Sequence, residues 1–231
     1  MLTFFCAGVI LNKTSEKEKI FMRMRKKKHR DDRLNACADF IINDFEKIKT
    51  EEKLFDNDNP VHLEIGCGKG RFITETAKLN PNINFLAAEK NLDVLLLAAE
   101  KIKNENIKNV KFFAGDANNF ADFERGKVFD RIYINFCDPW KKNRQAKRRL
   151  THKNFLEIYK NILKDGGELH FKTDNTDLFE FSLNSFADFG LKMKNITLNL
   201  HKSGFEGNVM TEYEKLFSEK GQPIYRCEVV F

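Results

Sequence analysis

A dense glycine pattern after an apolar, strand-like run is the stretch best suited to hold a cofactor. Glu64 opens the pattern, and Gly66, Gly68 and Gly70 follow at alternate positions. Glycine permits a sharp turn and the close approach of a ligand, and a helix that begins just after the turn offers free N–H groups. A dinucleotide fingerprint would need glycine at position 71, where Arg71 stands. The stretch therefore predicts a nucleotide-type cofactor site, with a plain strand–turn–helix connection as the alternative.

Acidic side chains follow four of the predicted strands, at or just past the points where those strands end. They are Glu64, Glu89, Asp116 and Asp138. Because ligands of parallel sheets bind beyond the carboxyl ends of the strands, we expect these acids to converge on one crevice. The acid after the second strand of such a sheet usually accepts hydrogen bonds from ribose hydroxyls. Each acid taken alone could equally be a helix cap or a turn residue.

Two short runs of basic residues carry the excess positive charge of the chain. Residues 23–30 and 141–149 each hold six of the 40 Lys and Arg and no acid, so the other 28 cations face 34 acids. A solvated helix face normally mixes both signs, and two unmixed runs favour a polyanionic partner, which we expect to be a nucleic acid. The second run directly follows Asp138-Pro139-Trp140, which contains the only tryptophan. A purely solvated surface is the alternative.

These motifs together resemble those of a known family. The spacing E-x-G-x-G-x-G is similar to motif I of class I S-adenosylmethionine (SAM) methyltransferases. The stretch D-P-W-K-K-N-R-Q-A-K-R-R, at 138–149, closely resembles the signature of the bacterial tRNA (guanine-N7-)-methyltransferase family (TrmB type). The resemblance covers residues 22–231 and includes 88–90, 171–175 and 211–214. It implies an enzyme that transfers a methyl group from SAM to N7 of the guanine at position 46, in the variable loop of tRNA.

The resemblance also implies roles for individual residues. The cofactor contacts fall on Glu64, Gly66, Gly68, Gly70, Glu89, Asp116 and Asp138. The contacts with RNA fall on Lys142, Arg144, Lys147, Arg148, Arg149, Asp174, Thr211, Glu212, Tyr213 and Glu214. Asp138 is the implied catalytic carboxylate, which would orient guanine while N7 attacks the methyl group directly. The implied partner is tRNA, without a metal or a membrane, and the protein could be a monomer or a homodimer.

Three local interpretations stay open on the sequence alone. Trp140 could stack on a base or pack in the core. Thr211 and Glu214 have the spacing of a capping box, and both could serve that role and still contact RNA. Cys137 invites a covalent mechanism, but guanine N7 needs no covalent activation, so we do not expect a nucleophile there.

The signature also departs from its commoner form, D-P-W-P-K-K-R-H. Lys141, Asn143 and Gln145 stand at the differing positions, which leaves the stiffness of the loop and one RNA contact open. Two other functions remain possible at this point. One is an amino-N methyltransferase that acts on adenine or protein, although its usual motif differs from Asp138-Pro139-Trp140 in its third and fourth residues. The other is an RNA-binding module without catalysis.

The elements that must position these residues alternate between apolar strands and helices. Strands are predicted at 61–65, 84–89, 110–115, 129–136, 168–173, 191–200 and 223–231. Helices are predicted at 31–53, 71–79, 91–103, 151–164 and 175–189, with Thr151 as the cap of the fourth. Such alternation predicts a parallel sheet. The expected fold is α/β, a doubly wound, mostly parallel, Rossmann-like seven-stranded sheet of the class I methyltransferase type.

Length and composition suit one domain with appendages. We expect 1–21 to be a disordered or non-native extension, 22–60 a basic segment with a helix, and 61–231 the methyltransferase domain. The apolar run in 1–21 is too short to span a bilayer and lacks the flanks of a signal peptide. Five scattered cysteines without C-x-x-C, and dispersed histidines, indicate neither a disulfide framework nor a metal site. A reducing cytoplasm is the expected location.

Overall fold

The computed structural model describes residues 28–42, 44–50 and 53–231. The expectations for 1–21, and for most of the first basic run, fall outside these residues. The strands are β1 Ile41–Ile42, β2 Val61–Ile65, β3 Asn84–Ala88, β4 Val110–Phe113, β5 Phe129–Asn135, β6 Leu163–Thr173, β7 Lys192–Thr197 and β8 Tyr225–Val230. The helices are α1 Arg30–Asn35, α2 Phe45–Thr50, α3 Arg71–Leu79, α4 Leu92–Asn104, α5 Lys153–Ile162, α6 Thr176–Asp188 and α7 Glu212–Ser218.

All eight strands form one sheet in the order β1-β4-β3-β2-β5-β6-β8-β7. The pairs from β1 to β6 are parallel, whereas β8 runs antiparallel to both β6 and β7. The predicted doubly wound, mostly parallel sheet is thus confirmed. Chain order reverses at β2, which lies between β3 and β5, and ligands of such sheets bind at this switch point.

The eighth strand comes from the segment that was predicted as one helix, and that part of the prediction is wrong. Two short helices, α1 and α2, flank β1, which pairs in parallel with β4 at the edge of the sheet. Ile41 lies opposite Phe112 and Ile42 opposite Phe113, so the two isoleucines extend the sheet. Both fit an amphipathic helical spacing as well, and only the exposed edge of β4 decides between the two states.

The connection between β5 and β6 also differs in detail from the prediction. His152, not Thr151, caps α5, because His152 Nδ1 accepts a hydrogen bond from the backbone N–H of Asn154 at 3.2 Å. The hydroxyl of Thr151 instead shares a 2.7 Å hydrogen bond with Ser182 of α6, and both side chains are fully buried. β6 begins at Leu163 and not at 168. Thr151 therefore joins two helices instead of starting one.

Two apolar layers pack against the sheet. One contains Phe120, Phe129 and the buried apolar residues of α5 and α6. The other contains Phe85 and most of the buried apolar residues of α3 and α4. Every residue of β3 is buried, as expected for a parallel strand that is covered on both faces. Within the described part of the chain, none of the helices has the length and apolarity that a membrane crossing requires.

Candidate active site

A cavity of about 530 Å³ opens at the strand ends beside the switch point. Gly66, Glu89, Asp116 and Asp138 line it, so three of the four strand-end acids converge as predicted. Glu64, the fourth acid, does not line the cavity and is only 1% exposed. The loops that follow β2, β3, β4 and β5 therefore build one site from distant parts of the chain.

The glycine-rich turn after β2 requires glycine for two different reasons. Gly66, Gly68 and Gly70 have φ of +79°, +58° and +77°, a region in which side chains are strained. A Cβ at Gly70 would lie 2.6 Å from Cβ of Ala98, so this glycine lets α3 approach α4. A Cβ at Gly66 or Gly68 would meet no atom within 4 Å. The space beside these two residues can therefore receive a ligand.

Glu89 and Asp116 are held in place by backbone N–H groups. Oε2 of Glu89 accepts from the N–H of Gly68 at 3.1 Å, and Oε1 accepts from the N–H of Asn91 at 2.9 Å. Oδ1 of Asp116 accepts from the N–H of Asn118 at 2.8 Å and caps a 3-10 helix at Ala117–Asp122. Both acids are thus turn or cap residues and line the cavity as well. Their fixed orientation suits them to receive donors of a ligand.

Glu64 is a buried carboxyl group with one unused oxygen. Oε1 accepts from Nδ2 of Asn135 at 3.1 Å, whereas Oε2 is buried without a hydrogen-bond partner in the described residues. Burial raises the pKa of Glu64 to about 8, and the hydrogen bond from Asn135 opposes this rise. A buried acceptor without a partner is costly, and a ligand donor would remove that cost. Asn135 was not among the predicted site residues, because its contact with Glu64 depends on the pairing of β2 with β5.

The turn that carries Asp138 has a strained backbone on both sides. Phe136 and Trp140 have φ of +55° and +41°, a conformation that bulky residues rarely adopt. Arg149 binds the backbone of this turn. Its Nε donates to the carbonyl of Pro139 and a guanidinium N–H donates to the carbonyl of Trp140, both at 3.1 Å. Strain of this kind persists only where neighbouring contacts enforce it, and it is common at functional sites.

The predicted phosphate contact of Arg149 is therefore corrected. Arg149 is only 8% exposed, and its guanidinium lies over the ring of Phe181, with Cζ 4.3 Å from the ring centre. Two of its five N–H donors are bound to carbonyl groups of the turn, and its burial leaves little surface at which a phosphate of RNA can bind. Its place at the end of a basic run suggested a surface role. The sequence pattern could not show its true partners, because the two carbonyl groups that accept from it lie nine and ten residues earlier.

The rest of the second basic run faces solvent. Lys142, Arg144, Lys147 and Arg148 are all exposed. Cζ of Arg148 lies 3.6 Å from the ring centre of Trp140, so a cation packs against this ring, which is neither fully buried nor fully exposed. Trp140, Lys147 and Arg148 also line the cavity, which places positive charge at its rim.

Cys137 lies between the strained Phe136 and Asp138. Burial raises the pKa of its thiol to about 12, and the nearby charge of Asp138 acts in the same direction. The thiol is therefore protonated at neutral pH, and a thiolate nucleophile is not available.

Asp174, directly after β6, lies beside the predicted substrate segment 211–214. Its Oδ2 accepts from the hydroxyl of Tyr213 at 3.1 Å and from Nε2 of Gln222 at 2.8 Å. The ring of Tyr213 lies 5.0 Å from that of Phe136, measured between ring centres. Tyr213 thus connects the end of β6 with the turn of Asp138. Gln222 was missed, because nothing in its local sequence indicates a partner that lies 48 residues earlier.

The other members of the segment make structural contacts. Oγ1 of Thr211 accepts from the N–H of Glu214 at 2.9 Å and caps α7, as one of the two interpretations proposed. Glu212 pairs with Lys101 of α4 at 2.9 Å. Glu214 is fully buried, and Lys172 lies 2.8 Å from it. The predicted RNA contact of Glu214 is corrected, because a carboxylate with no exposed surface does not reach a macromolecular ligand.

A second cavity, of about 500 Å³, lies against the sheet and is lined by charged residues of β5, β6 and β8. Glu168, His170 and Glu228 bring ligand-type atoms within 4.8 Å of one another there. Both carboxylates are already paired, Glu168 with Arg131 at 2.7 Å and Glu228 with Arg226. Burial and the charge of Arg131 lower the pKa of His170 to about 4. The cluster is an ion-pair network whose cations would oppose a divalent metal ion.

Comparisons with known proteins give the family. A family model described as "Putative methyltransferase" matches residues 58–227. A tRNA (guanine-N(7)-)-methyltransferase of Clostridioides difficile (strain 630) is 51% identical over 209 residues, which are 90% of this chain and 98% of that protein. An enzyme of the same name from Bacillus subtilis (strain 168) is 49% identical over 210 residues, with the same coverage of both chains.

Solved structures agree on the fold. An antibiotic-related methyltransferase matches with a TM-score of 0.54 and 18% identity over 90% of this chain and 96% of that one. A 30S ribosomal A1408 methyltransferase from an uncultured bacterium matches with a TM-score of 0.51 and 16% identity over the same shares. Fibrillarin from Aeropyrum pernix, solved with natively bound SAM, matches with a TM-score of 0.51 and 15% identity over 80% of this chain and 73% of that one. At these identities the likeness extends to the fold.

Proposed function

The chain belongs to the tRNA (guanine-N7-)-methyltransferase family, and on that premise we propose how its strand-end site works and which base it takes. It is a SAM-dependent methyltransferase that modifies guanine N7 in tRNA. The observation that carries this conclusion is 51% identity over nine-tenths of the chain. Within the tRNA, we propose the guanine at position 46 of the variable loop, which follows the resemblance of 138–149 to the family signature.

The strand-end residues fit SAM by the chemistry of their donors and acceptors. When bound, SAM supplies a methyl group on a sulfonium, which is electrophilic without further activation. Oε2 of Glu64 is a buried acceptor without a partner among the described residues, and Asn135, which donates to the other oxygen, lines the cavity. We therefore assign Oε2 to the ammonium group of SAM. We assign Glu89 to the ribose hydroxyls and Asp116 to the adenine amino group, because both carboxylates line the cavity in fixed orientations. Gly66 and Gly68 have no side chain, and the open space beside them is where we place part of the cofactor.

Asp138 is the residue that we assign to guanine. Guanine N7 carries an unprotonated lone pair, so no general base has to free it. The protein therefore acts mainly through proximity and orientation, worth up to ~7–11 kcal/mol in favourable cases. The carboxylate of Asp138 lines the cavity on a rigid turn and can accept hydrogen bonds from the N1/N2 edge of guanine. Its negative charge also balances the positive charge that develops on the purine.

The exposed part of the basic run is the proposed contact with the tRNA backbone. Lys142, Arg144, Lys147 and Arg148 are exposed, and the last two also line the cavity. Cations at the rim of a site attract phosphates and set the register of the strand without reading its sequence. The target base is engaged in tertiary contacts of folded tRNA, so it must first be exposed. We place the enzyme in the cytoplasm, in keeping with its tRNA substrate and with four free cysteines in the described chain.

One experiment tests the proposal directly. The protein is incubated with methyl-labelled SAM and unmodified tRNA transcripts, and the modified nucleoside is identified and mapped. We expect 7-methylguanosine at position 46 and no transfer to a matched transcript that carries adenine there. Transfer to N7 of another guanine would contradict the position, and transfer to adenine or to protein would contradict the proposed reaction.

A further inference from the structure

Lys172 and Glu214 form an ion pair that is buried on both sides. Nζ of Lys172 lies 2.8 Å from Oε2 of Glu214, and the two residues are 6% and 0% exposed. Nζ also donates to Oδ1 of Asn208 and to the carbonyl oxygen of Val209, both at 3.0 Å. These three acceptors occupy the three N–H groups of the ammonium. Lys172 therefore has no donor left for a substrate, although it lies next to the last residue of β6.

The carboxylate of Glu214 is equally occupied. Its Oε1 accepts from Nδ2 of Asn208 at 2.6 Å and lies 3.3 Å from Nε2 of His201. Its Oε2 accepts from Lys172. Both oxygens therefore bind groups within the protein. They join α7 to the loop that precedes it and to β6, and Glu214 does not line the cavity at the strand ends.

The segment that this ion pair holds carries Tyr213, whose ring contacts Phe136 in the wall of the cavity. Tyr213, the neighbour of Glu214, donates its hydroxyl to Asp174 and packs its ring beside Phe136. Asp174 lies two residues beyond Lys172 in the same strand end. The ion pair and the Tyr213–Asp174 hydrogen bond are thus two links between the same two elements. Loss of the ion pair would therefore let the Tyr213–Asp174 hydrogen bond change its geometry.

We propose that Lys172 is a positioning residue for methyl transfer, which acts through Glu214 to fix the segment 208–214 against β6 and so places Tyr213 and Asp174 beside the bound guanine. The inference rests on the proposed function. Its physical basis is the cost of separating the pair: a buried charge without its partner is strongly unfavourable, so either substitution drives the segment away from β6. Burial lowers the pKa of Lys172, and the carboxylate of Glu214 opposes that change.

A double-mutant cycle shows whether Lys172 and Glu214 act through their common ion pair or independently of each other. Single-turnover methylation at saturating SAM and tRNA is measured for Lys172→Met, for Glu214→Gln and for the double variant. We expect each single substitution to lower the rate about 10-fold or more, and the double variant to be no slower than the slower single one. Rate losses that multiply would mean that the two residues act separately, and would overturn the proposal.

Lys164→Met is the matched control, because it removes a lysine at the other end of the same strand. Lys164 pairs with Asp130 at 2.9 Å but is half exposed. We expect this variant to methylate at the wild-type rate, and all variants to bind SAM within about twofold of the wild type, as measured by calorimetry. An equal rate loss in Lys164→Met would assign the effect to the strand in general and would contradict the proposal.

If Lys172→Met does not fold, hydrogen exchange of Glu214→Gln tests whether the ion pair holds the segment 208–214. In Glu214→Gln, which keeps the volume of the side chain, we expect faster amide exchange in 208–214 than in the wild type, with α5 unchanged. Wild-type exchange in this segment would overturn the proposal. A wild-type protein that does not methylate guanine N7 would contradict the proposed function, whereas an active wild type with unaffected variants would contradict this inference alone.

Discussion

Asp138 lies on a turn that combines a carboxylate with an unusually constrained backbone. Phe136 and Trp140 hold positive φ on either side of it, and Arg149 binds the two carbonyl groups that follow it. These contacts hold the backbone from which the carboxylate of Asp138 projects. The proposed displacement needs no general base, so we expect this turn to contribute through orientation of the guanine.

Asp138→Asn should slow the chemical step more than it weakens SAM binding. The substitution keeps the shape but removes the charge, and its NH₂ group can face the donors of guanine. We expect a loss of roughly 100-fold in the single-turnover rate at saturating SAM and tRNA, with a modest loss of SAM affinity. Asp165→Asn, at an exposed position, is the control. A wild-type rate at saturation would make Asp138 only a binding group.

Glu64→Gln should change the way in which stability depends on pH. Burial raises the pKa of Glu64 to about 8 from 4.5, so between these values the unfolded chain has lost a proton that the folded protein keeps. The wild type is therefore destabilised by about 1.4 kcal/mol per pH unit as the pH rises through this window, and Glu64→Gln lacks that contribution.

Urea unfolding of both proteins at pH 5, 6.5 and 8 measures this difference. We expect the variant to gain stability relative to the wild type at each step toward alkaline pH. We also expect weaker SAM binding at pH 8, because the amide offers the ammonium of SAM no negative charge. Parallel stability curves would mean that Glu64 is ionised in the folded protein across the whole range.

The residues that the sequence could predict are those whose neighbours are fixed by strand geometry. Glu89, Asp116 and Asp138 line one cavity because parallel strands end at one edge. Gln222 and Lys172 could not be found in this way. Their partners lie 48 and 42 residues away along the chain, and only the packing of α7 against the end of β6 brings them together.

Among the elements, the second basic run shows where charge patterns stop being informative. Its composition predicts a surface that attracts phosphates, and most of its cations are exposed. Arg149 has the same charge and an adjacent position, yet it points inward, because the turn before the run presents two carbonyl groups to it. A run of like charges therefore predicts that the segment as a whole lies at the surface, but it does not predict the exposure of each residue in the run.

Lys147→Ala with Arg148→Ala should weaken tRNA binding and flatten its salt dependence by up to roughly 2 units of log–log slope. SAM binding should stay near the wild-type value, because no contact with SAM is assigned to either side chain. The unfolding free energy should fall only slightly, because both side chains are exposed and only Arg148 packs against a ring. Arg149→Ala provides the contrast: it should destabilise the turn of Asp138 and leave the salt slope unchanged. Filter binding across a range of salt concentrations measures both. An unchanged slope in the double variant would assign these two cations to solvated surface.

At the scale of the whole molecule, alternation of strands and helices was sufficient to predict the doubly wound sheet. The error was to include Ile41 and Ile42 in a helix, because their positions fit a helical spacing and their partners in β4 lie 71 residues further along the chain. The sequence also did not show that one face of β6 and β8 would be charged, because Glu168, His170 and Glu228 form that face only after the antiparallel pairing is made.

A chain that begins at Met22 should methylate tRNA at the wild-type rate. None of the motifs that carry the family resemblance precedes Met22. As a control, a chain that begins after position 30 also loses the first basic run, and we expect it to bind tRNA more weakly, with a smaller salt slope. Both are measured by methylation of the same transcript at two salt concentrations. A shortened chain that folds but does not methylate would show that 1–21 contributes to function.

The place of β8 in the sheet has a consequence for the protein while it is being made. β8 lies between β6 and β7 but follows both along the chain. A nascent chain on the ribosome therefore carries β6 as an open edge, and β7 without any partner, until residues 225–230 have emerged. Open edges are templates for pairing with other chains. Chains stalled before residue 225 should consequently bind chaperones and aggregate, whereas those that include β8 should resist protease.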